Sequence, residues 1–150
     1  MGKDENNEMA HDPNCIFCKI IQGDIPSAKV YEDEHILAFI DISQVTEGHT
    51  LIIPKEHKQD IFALTPEIAQ NLFKAIPMLA NGIKAAFNPL GLNIVNNNGE
   101  AAGQTVFHYH VHLIPRYGKQ DGFSAKWANN MDKYTAENYQ AIAGKIKEQL

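Results

Sequence analysis

The chain has 150 residues, 44% of them hydrophobic, enough for one globular domain with a real core. A formal charge of −5 supplies no basic footprint, which argues against a nucleic acid polymer as partner and leaves a mononucleotide open. No apolar run approaches the roughly 18 residues of a spanning helix, since Leu51-Ile52-Ile53 is stopped by Pro54, so no membrane association is expected.

Residues 1–13 are acidic and Asn-rich with no apolar h-region. They read as a disordered lead rather than a signal peptide, ahead of a single domain over 14–150, and a cytoplasmic location is expected. Cys15 and Cys18, the two cysteines, sit too close together to staple a fold; in a reducing compartment they read as metal ligands or a redox pair. Asn14 can cap a short helix over 15–21 that ends before Gly23, with both thiols one turn apart on one side. Residues 29–32 and 35–42 are β-rich and flank the polar turn Asp33-Glu34, the pattern of a hairpin. A third strand covers 50–53 and ends at Pro54. Thr65-Pro66-Glu67 starts a helix with an N-cap, Pro at the first position and an acid in the first turn. Ile68, Leu72, Ile76, Leu79, Ile83 and Phe87 then form one apolar stripe along about five turns, and Pro77 should kink it. Asn88-Pro89 ends that helix. Residues 92–96 and 106–114 make two more strands, joined by a polar, Gly-containing loop. Beyond Pro115 the chain is irregular through Trp127, and Thr135 caps a last helix with Tyr139, Ile142, Ile146 and Leu150 along one side. The expected fold is α+β: a five-stranded antiparallel sheet with helices packed on it.

His108-Tyr109-His110-Val111-His112 is the most informative stretch. Three imidazoles at i, i+2 and i+4 share a face only on extended backbone, because a strand alternates its side chains with period two. Tyr109, Val111, Leu113 and Ile114 favour strands and can pack in a core. Directly before them, residues 96–105 carry glycines that let backbone approach a ligand, and Asn97, Gln104 and Thr105 are neutral donors suited to an oxyanion. Between Lys84 and Arg116 there is no lysine or arginine, so this is no P-loop. A phosphate there would have to meet backbone N–H groups, histidine or a metal. Neutral imidazole is a nucleophile toward phosphorus, and protonated imidazole pairs with phosphate or protonates a leaving group.

His108-Tyr109-His110-Val111-His112-Leu113-Ile114 resembles the signature of the histidine triad family of nucleotide hydrolases and transferases. Further matching stretches are Cys15-Ile16-Phe17-Cys18, Ile25-Pro26, Tyr31-Glu32-Asp33-Glu34, Leu37-Ala38-Phe39-Ile40-Asp41-Ile42, Gly48-His49-Thr50-Leu51-Ile52-Ile53-Pro54-Lys55, Asn97 and Gly103-Gln104-Thr105-Val106. The resemblance implies a fold like that family's: a long kinked helix, a short N-terminal helix and a C-terminal helix on the sheet. It implies His110 as the nucleophile that forms a nucleotidyl-histidine intermediate. His112 and His49 would flank it, Gln104 and Thr105 would hold the α-phosphate and leaving group, and Asp41 would accept from the ribose hydroxyls. Ile16, Phe17, Ile20, Phe39 and Ile42 would line the base slot, with Asn97, Gly103 and Val106 also at the nucleotide.

By the same resemblance, to the metal-bearing bacterial branch and the related uridylyltransferases, His57 and His108 would complete a zinc site with Cys15 and Cys18. Four protein ligands leave no place for water, so such zinc is structural. The implied activity is hydrolysis of purine nucleoside 5′-phosphoramidates or related nucleotidyl conjugates, by a homodimer joined sheet edge to sheet edge with the long helix at the interface. Two other readings are a nucleotide-binding or partner-binding module with little turnover, and a metal-dependent hydrolase in which His108, His110 and His112 together hold catalytic zinc. His11 and His35 read as surface residues.

Overall fold

Period-two alternation in the apolar strands decides the layering. In the computed structural model, which describes residues 11–150, the strands are β1 (Lys29–Glu32), β2 (Ile36–Ile40), β3 (Thr50–Pro54), β4 (Gly91–Val95) and β5 (Val111–Arg116). They form one sheet in the order β1-β2-β3-β5-β4, with every neighbouring pair antiparallel. Helix α1 (Ile16–Gln22) precedes the sheet, α2 (Pro66–Phe73) and α3 (Ile76–Phe87) join β3 to β4, and α4 (Ala136–Lys147) follows β5. Ile36, Ala38, Ile52, Val111 and Leu113 point to one side, where they pack with Leu72, Ile76, Leu79 and Ile83 of α2 and α3. Leu37, Phe39, Leu51 and Ile53 point to the other and pack with Phe17, Cys18 and Ile20 of α1. The α+β arrangement is the expected one, and none of the described helices is long and apolar enough to cross a membrane.

The long helix breaks where its proline requires. Pro77 cannot donate to the carbonyl four residues back, and its ring crowds that turn. The backbone changes path at Lys74 and Ala75: Ala75 N–H bonds Leu72 O at 3.3 Å in a tighter three-residue turn, and α3 restarts with Leu79 N–H on Ala75 O at 3.1 Å. At α1 the cap is Cys15 rather than Asn14, its Sγ accepting from Cys18 N–H at 3.3 Å. Asn14 lies in the turn before it, held by Asp12, whose carboxylate accepts from Asn14 N–H at 2.8 Å and whose carbonyl accepts from Cys15 N–H at 3.0 Å. Most of the lead expected over 1–13 lies outside the described residues; Asp12 is built into this turn. The left-handed Gly23, φ 85°, stops α1 as expected.

Two further expectations need correction. The strand expected over 106–114 is regular only from Val111, because the ladder of β5 with β3 and β4 begins at Val111 and His112. Ahead of that, Tyr109 N–H donates to Lys58 O at 2.6 Å and Asn96 Nδ2 donates to His110 O at 2.8 Å, so loops take over the pairing. The last helix forms with a full capping box at Thr135 and Asn138, but it does not pack on the sheet. Tyr139, Ile142, Ile146 and Leu150 stay exposed; α2 and α3 already cover one face of the sheet and α1 the other.

Candidate active site and metal centre

The face of the sheet opposite α2 and α3 receives the histidines. Tyr109, Val111 and Leu113 enter the core beneath those helices, and the alternation turns His108, His110 and His112 toward α1. Register brings in the rest. His112 pairs with Leu51 across β3 and β5, so His49, two residues from Leu51 on the same face, is its diagonal neighbour. Asp41 N–H bonds His49 O at 3.1 Å, which sets the Asp41 carboxylate beside both rings.

Hydrogen bonds assign each ring's proton, since a carbonyl can only accept and a backbone N–H can only donate. His110 Nδ1 lies 2.8 Å from His108 O, so it carries the proton and Nε2 keeps its lone pair. His108 Nε2 donates to Pro54 O at 2.8 Å, leaving Nδ1 free. His49 Nδ1 accepts from Val45 N–H at 3.2 Å, so its proton is on Nε2, 2.9 Å from His112 Nδ1 and 3.5 Å from Asp41 Oδ2. His112 must then carry its own proton on Nε2. Phe17 braces the row edge-on, with its ring centroid 5.2 Å from His110 and 5.9 Å from His108.

Burial holds these rings neutral. Desolvation lowers the pKa of His110, against the opposing pull of the His108 carbonyl and Asp41. It takes His112 down to about 4, helped by neighbouring His110 and His49, and lowers His49 despite Asp41. A neutral His110 with an exposed lone pair is the form a nucleophile needs.

His108 faces a different group. Its Nδ1 is 3.4 Å from Cys15 Sγ, 3.5 Å from Cys18 Sγ and 3.1 Å from His57 Nδ1, and His57 Nδ1 is 3.4 Å from Cys18 Sγ. Those separations match the edges of a tetrahedron around an ion with metal–nitrogen bonds of about 2.0 Å and metal–sulfur bonds of about 2.3 Å. The outer contacts suit thiolates: Cys15 Sγ accepts from Cys18 N–H and Cys18 Sγ accepts from Asp12 N–H at 3.4 Å. Without a cation the position is costly. Burial pushes the Cys18 thiol up to about 11, with neighbouring Cys15 adding to it. Cys15, Cys18, His57 and His108 therefore form a cluster that could hold a metal ion.

Asp41, His49 and His112 also lie close enough to share an ion. There the Val45 N–H opposes it, because it keeps the proton on the very nitrogen that would have to bind. His108 Nδ1 faces the cysteines and His110 Nδ1 is taken by the His108 carbonyl, and among the described residues the three triad histidines form no common cluster for a catalytic ion. His11 is less simple than a surface residue: its Nδ1 is buried without a hydrogen-bond partner among the described residues.

Between α1 and the end of β2 lies a cavity of about 410 Å³. Its apolar wall includes Ile16, Phe17, Ile20, Phe39 and Ile42; its polar end is made by Asp41, Thr105, His110 and His112, with Val106 alongside. All ten were expected at a nucleotide. Missed were Ile25, Pro26, Ser27, Ile40, Ser43 and Leu51; Leu51 shares a strand face with His49, a signal that period-two counting could have used. Asn97, Gly103 and Gln104 do not line the cavity. Gln104 is buried with its amide fully engaged: Nε2 donates to Gln59 O at 2.7 Å and Val106 O at 3.1 Å, while Oε1 accepts from Gly99 N–H at 2.7 Å. In this structure it builds the loop, and Asn97 reaches only Gly103 O at 3.5 Å. His49 sits behind His112.

Comparison with known proteins agrees with this geometry. The HIT domain matches residues 22–119. A Bacillus subtilis (strain 168) relative named "Protein hit" is 61% identical over 137 residues, 91% of this chain and 94% of its own length. The crystal structure of a HIT family protein from Bacillus anthracis is 66% identical with a TM-score of 0.90, covering 92% of this chain and 98% of that one. A Schizosaccharomyces pombe relative named adenosine 5′-monophosphoramidase hnt1 is 39% identical over 114 residues, 76% of this chain and 83% of its own length. A zinc-bound histidine triad family protein from Mycobacterium smegmatis is 32% identical with a TM-score of 0.69, covering 91% of this chain and 98% of that one. With a match that spans the whole sheet, the histidine row and the polar end of the cavity, this chain belongs to the HIT domain family, some of whose members are named as nucleotide hydrolases.

Proposed function

We propose that the protein hydrolyses purine nucleoside 5′-phosphoramidates or related nucleotidyl conjugates and releases the nucleoside monophosphate. The observation that carries this reading is the free Nε2 lone pair of His110, fixed by the His108 carbonyl at the polar end of an apolar cavity. The name of the fission yeast relative supports the substrate class. The base occupies the slot among Ile16, Phe17, Ile20, Phe39 and Ile42, and Asp41 accepts from the ribose hydroxyls. His110 Nε2 attacks the α-phosphorus, forming a nitrogen–phosphorus bond as the bond to the leaving amine breaks. The Nε2–H of His112 and the hydroxyl of Thr105 meet the developing charge on the phosphate oxygens, and the leaving nitrogen takes one proton from solvent in the open cavity and departs as the neutral amine. Water then attacks phosphorus and returns one proton to solvent, His110 departs with its Nδ1 proton in place, and the monophosphate is freed. Gln104 contributes by holding the loop that presents Thr105; direct contact with the leaving group would require it to give up one of its present bonds.

The Cys15, Cys18, His57 and His108 cluster holds structural zinc in this reading, supported by the tetrahedral separations and the zinc-bound relative. Zinc there would clamp α1 to the start of the histidine row and keep His108 out of the chemistry. A homodimer fits the exposed apolar side chains Ile94 on the edge strand β4 and Met78 and Phe87 on α3. Free Cys15 and Cys18 suit a reducing, cytoplasmic setting.

The test is AMP release from adenosine 5′-phosphoramidate by wild type and His110→Ala, each checked for folding. Turnover that collapses by several orders of magnitude in the variant is expected for loss of a nucleophile. No turnover in either protein would favour a nucleotide-binding module, and equal turnover in both would move the chemistry away from His110.

A further inference from the structure

The segment between Asp41 and His49 is closed by one exposed side chain. Gln44 Nε2 donates to Asp41 O at 2.6 Å and His49 O at 2.7 Å, and Gln44 Oε1 accepts from Gly48 N–H at 2.9 Å. A single amide thus joins both ends of the loop. Two outer contacts fix the same loop from β5 and its continuation: Thr46 Oγ1 donates to Pro115 O at 2.5 Å and Tyr117 Oη donates to Glu47 O at 2.7 Å. What this scaffold delivers is the Val45 N–H, 3.2 Å from His49 Nδ1.

We infer that Gln44 is a positioning residue: by closing the loop it holds the Val45 N–H against His49 Nδ1, so that His49 keeps one proton, on Nε2, and orients His112. The inference rests on the reading of His110 and His112 above. A second proton on His49 would have to sit on Nδ1, against a backbone N–H that can only donate. The groups facing the ring divide. Asp41, at the end of β2, lies 3.5 Å from Nε2 and favours an imidazolium, whereas His112 on β5 offers a lone pair that needs a donor. The loop decides in favour of the neutral donor. The consequence reaches the substrate side, because a His112 that accepts at Nδ1 presents its own N–H toward the cavity it lines.

The experiment is nitrogen-15 NMR of histidine-labelled protein across pH 5 to 8, for wild type, Gln44→Ala and Gln44→Glu, with kcat and KM measured on adenosine 5′-phosphoramidate. Wild-type His49 should remain a singly protonated Nε2–H ring over the range. In both variants it should gain its second proton at a higher pH, and kcat should fall at least tenfold with KM changed less than threefold. If Gln44→Ala fails to fold, Gln44→Glu, which keeps the acceptor and the shape, carries the same reading. Unchanged His49 signals in a folded variant would overturn the inference. Absence of turnover in wild type would overturn the proposed function but leave the NMR result to stand or fall by itself.

Discussion

His112 gives a pH dependence with a definite sign. Its folded pKa is lowered to about 4 from the ordinary 6.5, first by burial and then by His110 and His49. Between those values the unfolded chain takes up a proton that the folded chain refuses, so stability is full above pH 6.5 and is lost as pH falls toward 4. For an unscreened ring the loss at pH 5 would be about 2 kcal/mol. The His112 side chain is 21% exposed and its edge meets solvent in the cavity, so screening brings the expected loss to about 1 kcal/mol. The buried rings of His49 and His110 are lowered in the same direction by the same cause and steepen the total. The comparison that isolates His112 is urea unfolding of wild type and His112→Gln at pH 8 and pH 5. The stability gap between the two proteins should narrow by about 1 kcal/mol at the lower pH. A gap that stays constant or widens would refute the assignment of a buried neutral His112.

Phe17→Ala removes a buried ring that meets Phe39 at 5.6 Å as well as His108 and His110. It should cost about 3–4 kcal/mol in urea unfolding and lower kcat, because the His110 ring then keeps only His112 against it edge-on. Gly48 has φ 97°, and a β-carbon there would lie 3.0 Å from the Phe87 ring. Gly48→Ala should destabilise by about 2 kcal/mol, measured the same way; a neutral result would mean that the loop relaxes. Metal analysis of purified protein should find one zinc per chain, absent in Cys18→Ala, with a lowered melting temperature for the variant and for chelator-treated wild type. Metal-free wild type with a melting temperature indifferent to chelator would refute the zinc site.

Much of the site could be read from the sequence because it depends on short-range geometry. Alternation separates His110 and His112 from Tyr109 and Val111 within five residues, and it placed the two sets on opposite faces as expected. Thr65, Thr135 and Gly23 act within a turn of their own positions: the two threonines start helices and the glycine ends one, as expected. Pro77 marked the break in the long helix for the same reason. Gln104 illustrates the opposite case. Its amide is equally suited to a phosphate or to a loop carbonyl, and the carbonyl that takes it belongs to Gln59, 45 residues away.

The sequence by itself determined the number and order of the strands, most of the helix ends and which residues share the histidine face, since period two and capping are properties of neighbouring backbone. Only the tertiary structure decided how the histidines divide their work. His108 is turned toward the cysteines by the Pro54 carbonyl, 54 residues away, His49 is held by the Val45 N–H, and His112 follows His49 from 63 residues off. An imidazole has two nitrogens and one proton at neutral pH, and which nitrogen holds it is set by the partner that folding brings within about 3 Å.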